Sequence, residues 1–131
     1  MREILFKAKT LHDDTWETGD VIYRGDRAFI HTYDFESHDE LYGCPKEEFI
    51  NFIPVDPNTV CQYTGLTDKN GVKIFEGDNI NSKMYFKGSL IPHFGYIVFD
   101  NGCFKTQNDV GGAAITYIEL RTIEVIGNIH D

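Results

Sequence analysis

At 131 residues the chain has the length of one domain, enough to bury a core without a disulfide or metal staple. Its formal net charge is −9, and its Lys and Arg residues are scattered singly, so sequence-independent nucleic-acid binding, which needs clustered bases to displace counterions, is disfavoured. Cys44, Cys61 and Cys103 show no CxxC spacing, which disfavours a disulfide framework and a zinc knuckle and favours a reducing compartment.

The first residues, Met1 to Lys7, fit no leader peptide, and no apolar run approaches the roughly 20 residues of a membrane helix. The expected location is the cytoplasm, with no membrane association. An aromatic content of 14% leans toward strands, whose half-buried pleated surface suits aromatic side chains.

In chain order, Ile4, Phe6 and Ala8 alternate with Glu3, Leu5, Lys7 and Lys9, which predicts a half-buried strand. Asp13-Asp14 and Gly19-Asp20 predict turns on either side of Trp16. Val21 to Tyr23 and Ala28 to His31 flank Arg24-Gly25-Asp26-Arg27, a hairpin signal. From residue 33 to 53 the alternation dissolves into an acidic loop or insertion, with one short helical turn marked by Pro45 and the acids Glu47 and Glu48. Residues 31–60 hold seven acidic side chains (Asp34, Glu36, Asp39, Glu40, Glu47, Glu48, Asp56) against Lys46 alone, so −6 of the net −9 lies there.

Val60 to Tyr63 predicts a further strand, closed by Asp68-Lys69-Asn70-Gly71; Asn-Gly is a strong hairpin signal because both residues tolerate positive φ. Asn79 to Phe86 predicts a strand and Lys87 to His93 a loop around Pro92. Tyr96 to Phe99 and Cys103 to Lys105 flank a second Asn-Gly turn, Asn101-Gly102. Gly111-Gly112 predicts a flexible stretch before Ile115 to Arg121, and Ile123, Val125 and Ile129 a final strand. About nine short strands at close spacing indicate a mainly β chain, a small barrel or sandwich of short antiparallel strands with at most one short helix. The layout from 76 to 131 is SH3-like.

Several stretches are similar to the YopX family of phage and prophage proteins. They are Arg2 to Lys9, Trp16 with Gly19-Asp20, Gln62-Tyr63-Thr64-Gly65-Leu66-Thr67-Asp68-Lys69-Asn70-Gly71, Ile74-Phe75-Glu76-Gly77-Asp78, Gly95 to Phe99, and Glu124-Val125-Ile126-Gly127-Asn128-Ile129-His130-Asp131. The resemblance spans residues 1–131 as a single domain. It implies a phage or prophage origin and a mostly β fold, and it implies no activity or catalytic set.

The residues suggest three function classes. A non-enzymatic accessory protein acting by protein–protein contact leads, with homo-oligomerisation through the apolar ends Ile4-Leu5-Phe6 and Ile123 to Ile129, which carry few charges, or binding of a host or phage protein. Tyr33, Phe35, Glu36, Asp39, Glu40 and Tyr42 combine aromatic anchors with carboxylates and are the candidate contact residues. The alternative is a small metal-dependent enzyme using His31, Asp34, Glu36, His38, Asp39 and Glu40, since oxygen and imidazole ligands can hold an ion that activates water. No carboxylate–histidine pairing on a regular element fixes such a geometry, and the reading is no metal, no cofactor and no catalytic residue. Third is a nucleic-acid-binding SH3-like module. Trp16, Tyr23, Phe29, Tyr33 and Phe35 could stack bases, but a β core explains them better, and a small buried residue explains Cys103.

A ligand bound only by the native state raises its melting temperature by mass action. Chelator is therefore expected to leave the melting temperature unchanged. A drop restored by a divalent ion would overturn the metal-free reading.

Overall fold

The computed structural model describes residues 3–33 and 50–131. The predicted helical turn near Pro45 and most of the acidic loop lie outside the described residues. The described chain is mainly β, in open antiparallel sheets that do not close into a barrel, and divides into two compact units, Ile4–Gln62 and Tyr63–Asp131.

In the first unit β1 (Phe6–Lys9), β2 (Trp16–Arg24), β3 (Arg27–Tyr33) and β4 (Ile50–Val55) follow one another as antiparallel neighbours. The start of β5 (Cys61–Thr67) adds to β1 through Phe6 and Lys7. Alternation puts Ala8, Ala28, Ile30 and Val55 into one buried cluster, with Phe6, Val21 and Val60 packed around it. Gly19-Asp20 is not a turn but lies inside β2. A Cβ at Gly19 would stand 2.4 Å from the carbonyl oxygen of His31, so glycine is there because the neighbouring strand passes too close for any side chain.

The second unit takes up β5 at Tyr63 and continues with β6 (Lys73–Phe75), β7 (Asp78–Phe86), β8 (Ser89–Asp100), β9 (Cys103–Asn108), β10 (Gly111–Ala114) and β11 (Glu124–Asn128). Five of these form a sheet in the order β10-β9-β8-β7-β11. Ile74, Ile80, Ile97, Ile118 and Ile123 make its core. The stretch from 115 to 122 holds two 3₁₀ turns, Ile115–Tyr117 and Leu120–Thr122. The glycines at 111 and 112, expected to be flexible, pair with Asn108 and Gln107 as an edge strand.

Two buried carboxylates organise this unit. Asp78, 1% exposed, accepts the Phe75 amide at 2.8 Å and the Asn128 side-chain amide at 2.9 Å. Gly77, at φ 84°, donates its N–H to Ile97 and accepts from the Ile129 N–H; a Cβ there would press on the Asn128 side chain at 3.2 Å. Asp68, 6% exposed, accepts the amides of Asn70 and Val72 on one oxygen and that of Val125 on the other. Lys69 donates its N–H to the Ile123 carbonyl. The outer side of β11 is thus covered at Ile123 and Val125 by the turn at 68–72.

Burial by itself pushes the Asp68 carboxyl up, but the three amides and the Lys69 charge favour the ionised form, and the net position is below the ordinary carboxylate value. Its stabilising contribution is complete above the unfolded-state pKa of about 4 and is lost as pH falls through the lower folded value. The Asp68→Asn variant is expected to be less stable at neutral pH and to lose less stability than wild type on acidification, as read from denaturant melts across pH. Asp78→Ala leaves the Asn128 and Phe75 donors buried and unmatched, and should lower the unfolding free energy by about 3 kcal/mol.

Candidate functional site

The longest ladder among the described residues is the β7–β8 hairpin, which pairs without interruption from Asn79↔Tyr96 to Phe86↔Ser89. Its turn places Lys87 at φ 50° and Gly88 at φ 80°, the type I′ geometry that matches strand twist. From Asn79 to Gly95 the sequence contains Lys83 and Lys87 and no acid, against the prevailing charge of the chain.

The hairpin is anchored along one flank. Lys83 donates its N–H to the Thr122 hydroxyl and accepts from the Glu119 N–H, and Met84 bridges to Ile118. The Tyr85 hydroxyl donates to the Glu119 carboxylate, which also receives the Arg121 guanidinium at 3.0 Å. Arg121 first and Tyr85 second hold the Glu119 carboxyl down to about 2, and the same carboxylate pushes the Tyr85 hydroxyl up.

Beyond these anchors the tip is apolar and open to solvent. Tyr85 is 46% exposed, Phe86 51%, Leu90 46% and Phe94 58%. Register puts Tyr85, Leu90 and, nearer the base, Phe94 on one face of the hairpin and Phe86 on the other; exposed apolar side chains of this kind mark interaction sites. On the other flank β9 pairs with β8 only from Tyr96 onward. There Asn108 donates its side-chain amide to the Phe94 carbonyl. Pro92, two residues earlier, shares the outward orientation and lacks an N–H. A partner strand would find no donor at that position, so the hairpin offers side chains rather than a backbone edge.

Of the residues marked in the sequence, His31 stacks on Phe52 at 5.0 Å between ring centres, with its Nδ1 3.6 Å from the Asp20 carboxylate. Tyr33 ends β3. Asp34, Phe35, Glu36, His38, Asp39, Glu40 and Tyr42 lie outside the described residues. Among the described residues no three His, Cys, Asp or Glu side chains gather as metal ligands would.

Two expectations are corrected. Cys103 is exposed, whereas Cys61 is the buried cysteine, its thiol donating to the Thr59 carbonyl. Of the aromatics read as core, Tyr23 is 57% exposed and Trp16 and Phe29 are half-buried. Lys7 lies over the Trp16 ring at 4.5 Å. Register puts Tyr23 opposite Ala28 and Phe29 opposite Ile22, on the two faces of the sheet, and alternation alone does not say which face meets solvent.

Three of the stretches that carry the resemblance noted in the sequence, Thr67 to Gly71, Phe75 to Asp78 and Glu124 to Asp131, build the two carboxylate networks. The YopX protein family matches residues 6–131. The chain belongs to the YopX family. None of the curated proteins matches it. Among solved structures, the crystal structure of protein EF1440 from Enterococcus faecalis is similar, with 22% identity, a TM-score of 0.55, and coverage of 99% of this chain and 95% of that one. That likeness is one of fold. No helix of the described residues is long and apolar enough to cross a membrane.

Proposed function

We propose that this YopX-family chain is a phage or prophage accessory protein of the bacterial cytoplasm that acts by protein–protein contact, with a second copy or with a host or phage protein, rather than by catalysis. The observation that carries this reading is the β7–β8 hairpin, an acid-free, solvent-exposed apolar projection on an otherwise acidic chain. Exposed aromatic and aliphatic side chains beside a few lysines suit a tip that desolvates on contact, with Leu90 as the anchor on one face and Phe86 on the other. Self-association through the end of the chain is less well supported, because the turn at 68–72 already occupies the outer groups of β11 at Ile123 and Val125. The hairpin supplies the alternative surface.

The test replaces both anchors, Phe86→Ser with Leu90→Ser. Each side chain is about half exposed, so the melting temperature should stay near that of wild type. If the anchors act as hot spots, each truncation weakens the contact by about 2 kcal/mol. Light scattering at micromolar concentration and co-purification from phage-infected cells should then show a lower mass, or the loss of a protein that wild type retains. A double variant with wild-type mass and the same co-purifying proteins would remove the hairpin from consideration.

A further inference from the structure

The first unit carries a charge arrangement that its fold does not use. Arg24 and Arg27 stand opposite one another as the last pair of the β2–β3 hairpin, and like charges so placed repel. Both are exposed, and neither takes part in any of the ion pairs found among the described residues. Beside them Ile22, Phe29 and Phe52 complete an open groove of about 340 Å³.

Register explains why these residues meet. Ile22 lies opposite Phe29, and Phe29 opposite Pro54, while Ala28, Ile30 and Val55 point the other way into the core. Phe52 is 56% exposed although it sits in a strand next to other aromatic rings. Among the described residues this apolar floor is left open and its two guanidinium groups make no ion pair, the composition of a contact site, since Arg and aromatic residues dominate such sites energetically.

We propose that this groove binds an extended acidic–aromatic peptide segment of a partner protein. An apolar ring of the segment lies on Phe29 and Phe52, and a carboxylate two residues away, on the same face of the extended chain, is held by Arg24 and Arg27. Guanidinium forks match carboxylates in a bidentate manner. A nucleic acid is the poorer occupant. The groove offers no amide or hydroxyl to read a base edge, and the net charge of −9 opposes a polyanion while permitting a short acidic segment held locally.

The adjoining strand favours an extended chain. β4 has β3 on one side, and on its other side the described residues cover it only from Pro54 onward. There Leu11 donates to the Pro54 carbonyl, Asp56 donates to the Lys9 carbonyl, and Thr10 bridges to Val55. Addition of a strand beside Phe52 would place alternate side chains of the incoming segment over the groove.

This inference concerns a face other than the hairpin and is tested on the purified full chain. The probe is a fluorophore-labelled acetyl-Glu-Thr-Phe-Thr-Glu-amide, whose Glu and Phe side chains share one face when extended, compared with its Gln-for-Glu analogue and with an oligothymidylate of similar length. The acidic peptide should bind saturably, shift the backbone amide resonances of Arg24, Arg27 and Phe29, and weaken as salt rises. Arg24→Gln and Arg27→Gln should each cost about tenfold in affinity, and Phe52→Ala a similar factor, with unchanged melting temperatures. Three results would each overturn the assignment: equal binding of the Gln analogue, tighter binding of the oligothymidylate, or no saturable binding up to millimolar peptide. None of them bears on the serine-substituted hairpin, whose outcome is read separately.

Discussion

The buried Asp78 carboxylate sets the terms for the second unit. A carboxylate removed from water costs several kcal/mol unless donors surround it, so the Phe75 amide and the Asn128 side chain must both be in place. Those two donors fix the β6–β7 turn against the end of β11. Gly77, lying between Phe75 and Asp78, links the same turn to Ile97 on β8. With three strands held at one point, the isoleucine core of Ile74, Ile80, Ile97 and Ile123 has one way to close.

Asp68 repeats the device at the other end of β11, closing its own Asn-Gly turn and taking the Val125 amide. The residues by which the YopX family is recognised are therefore consumed by the fold. Asp68 and Asp78 within them accept backbone amides of the same chain. Chains sharing these motifs can share a scaffold while differing in what they contact, because the hairpin tip and the arginine-edged groove both lie outside the motifs.

Much of the architecture was legible in the sequence. Strand alternation located β1, β3, β7 and β11, and the Asn-Gly pairs located the turns after β5 and β8. The β7–β8 turn was missed because Lys87 occupies the positive-φ position where Asn is the usual signal, and Pro92 then read as a loop residue. Pro92 is tolerated because it falls where β8 has only β7 beside it. Gly19-Asp20 misled for a related reason, since glycine marks close backbone approach as well as turns. The candidate contact surfaces were not legible. Exposure of Phe86, Phe94 or Phe52 depends on where neighbouring strands stop, which no local pattern encodes, and Arg24 and Arg27 read simply as the flanks of a hairpin.

The carboxylate networks also impose an order on assembly. Asp68 reaches Val125 across 57 residues of sequence, and Asp78 reaches Asn128 across 50. Contacts so distant along the chain form late, after the loop-closure entropy has been overcome. During synthesis the hairpins can pair as they emerge, but both carboxylates wait in water for partners that are translated last. Until β11 arrives, the outer side of β7 stays bare and the isoleucine core stays open along that side. The second unit thus passes through an interval in which its apolar interior and its exposed hairpin present themselves together, and the speed with which β11 docks governs how long the nascent chain is vulnerable to aggregation.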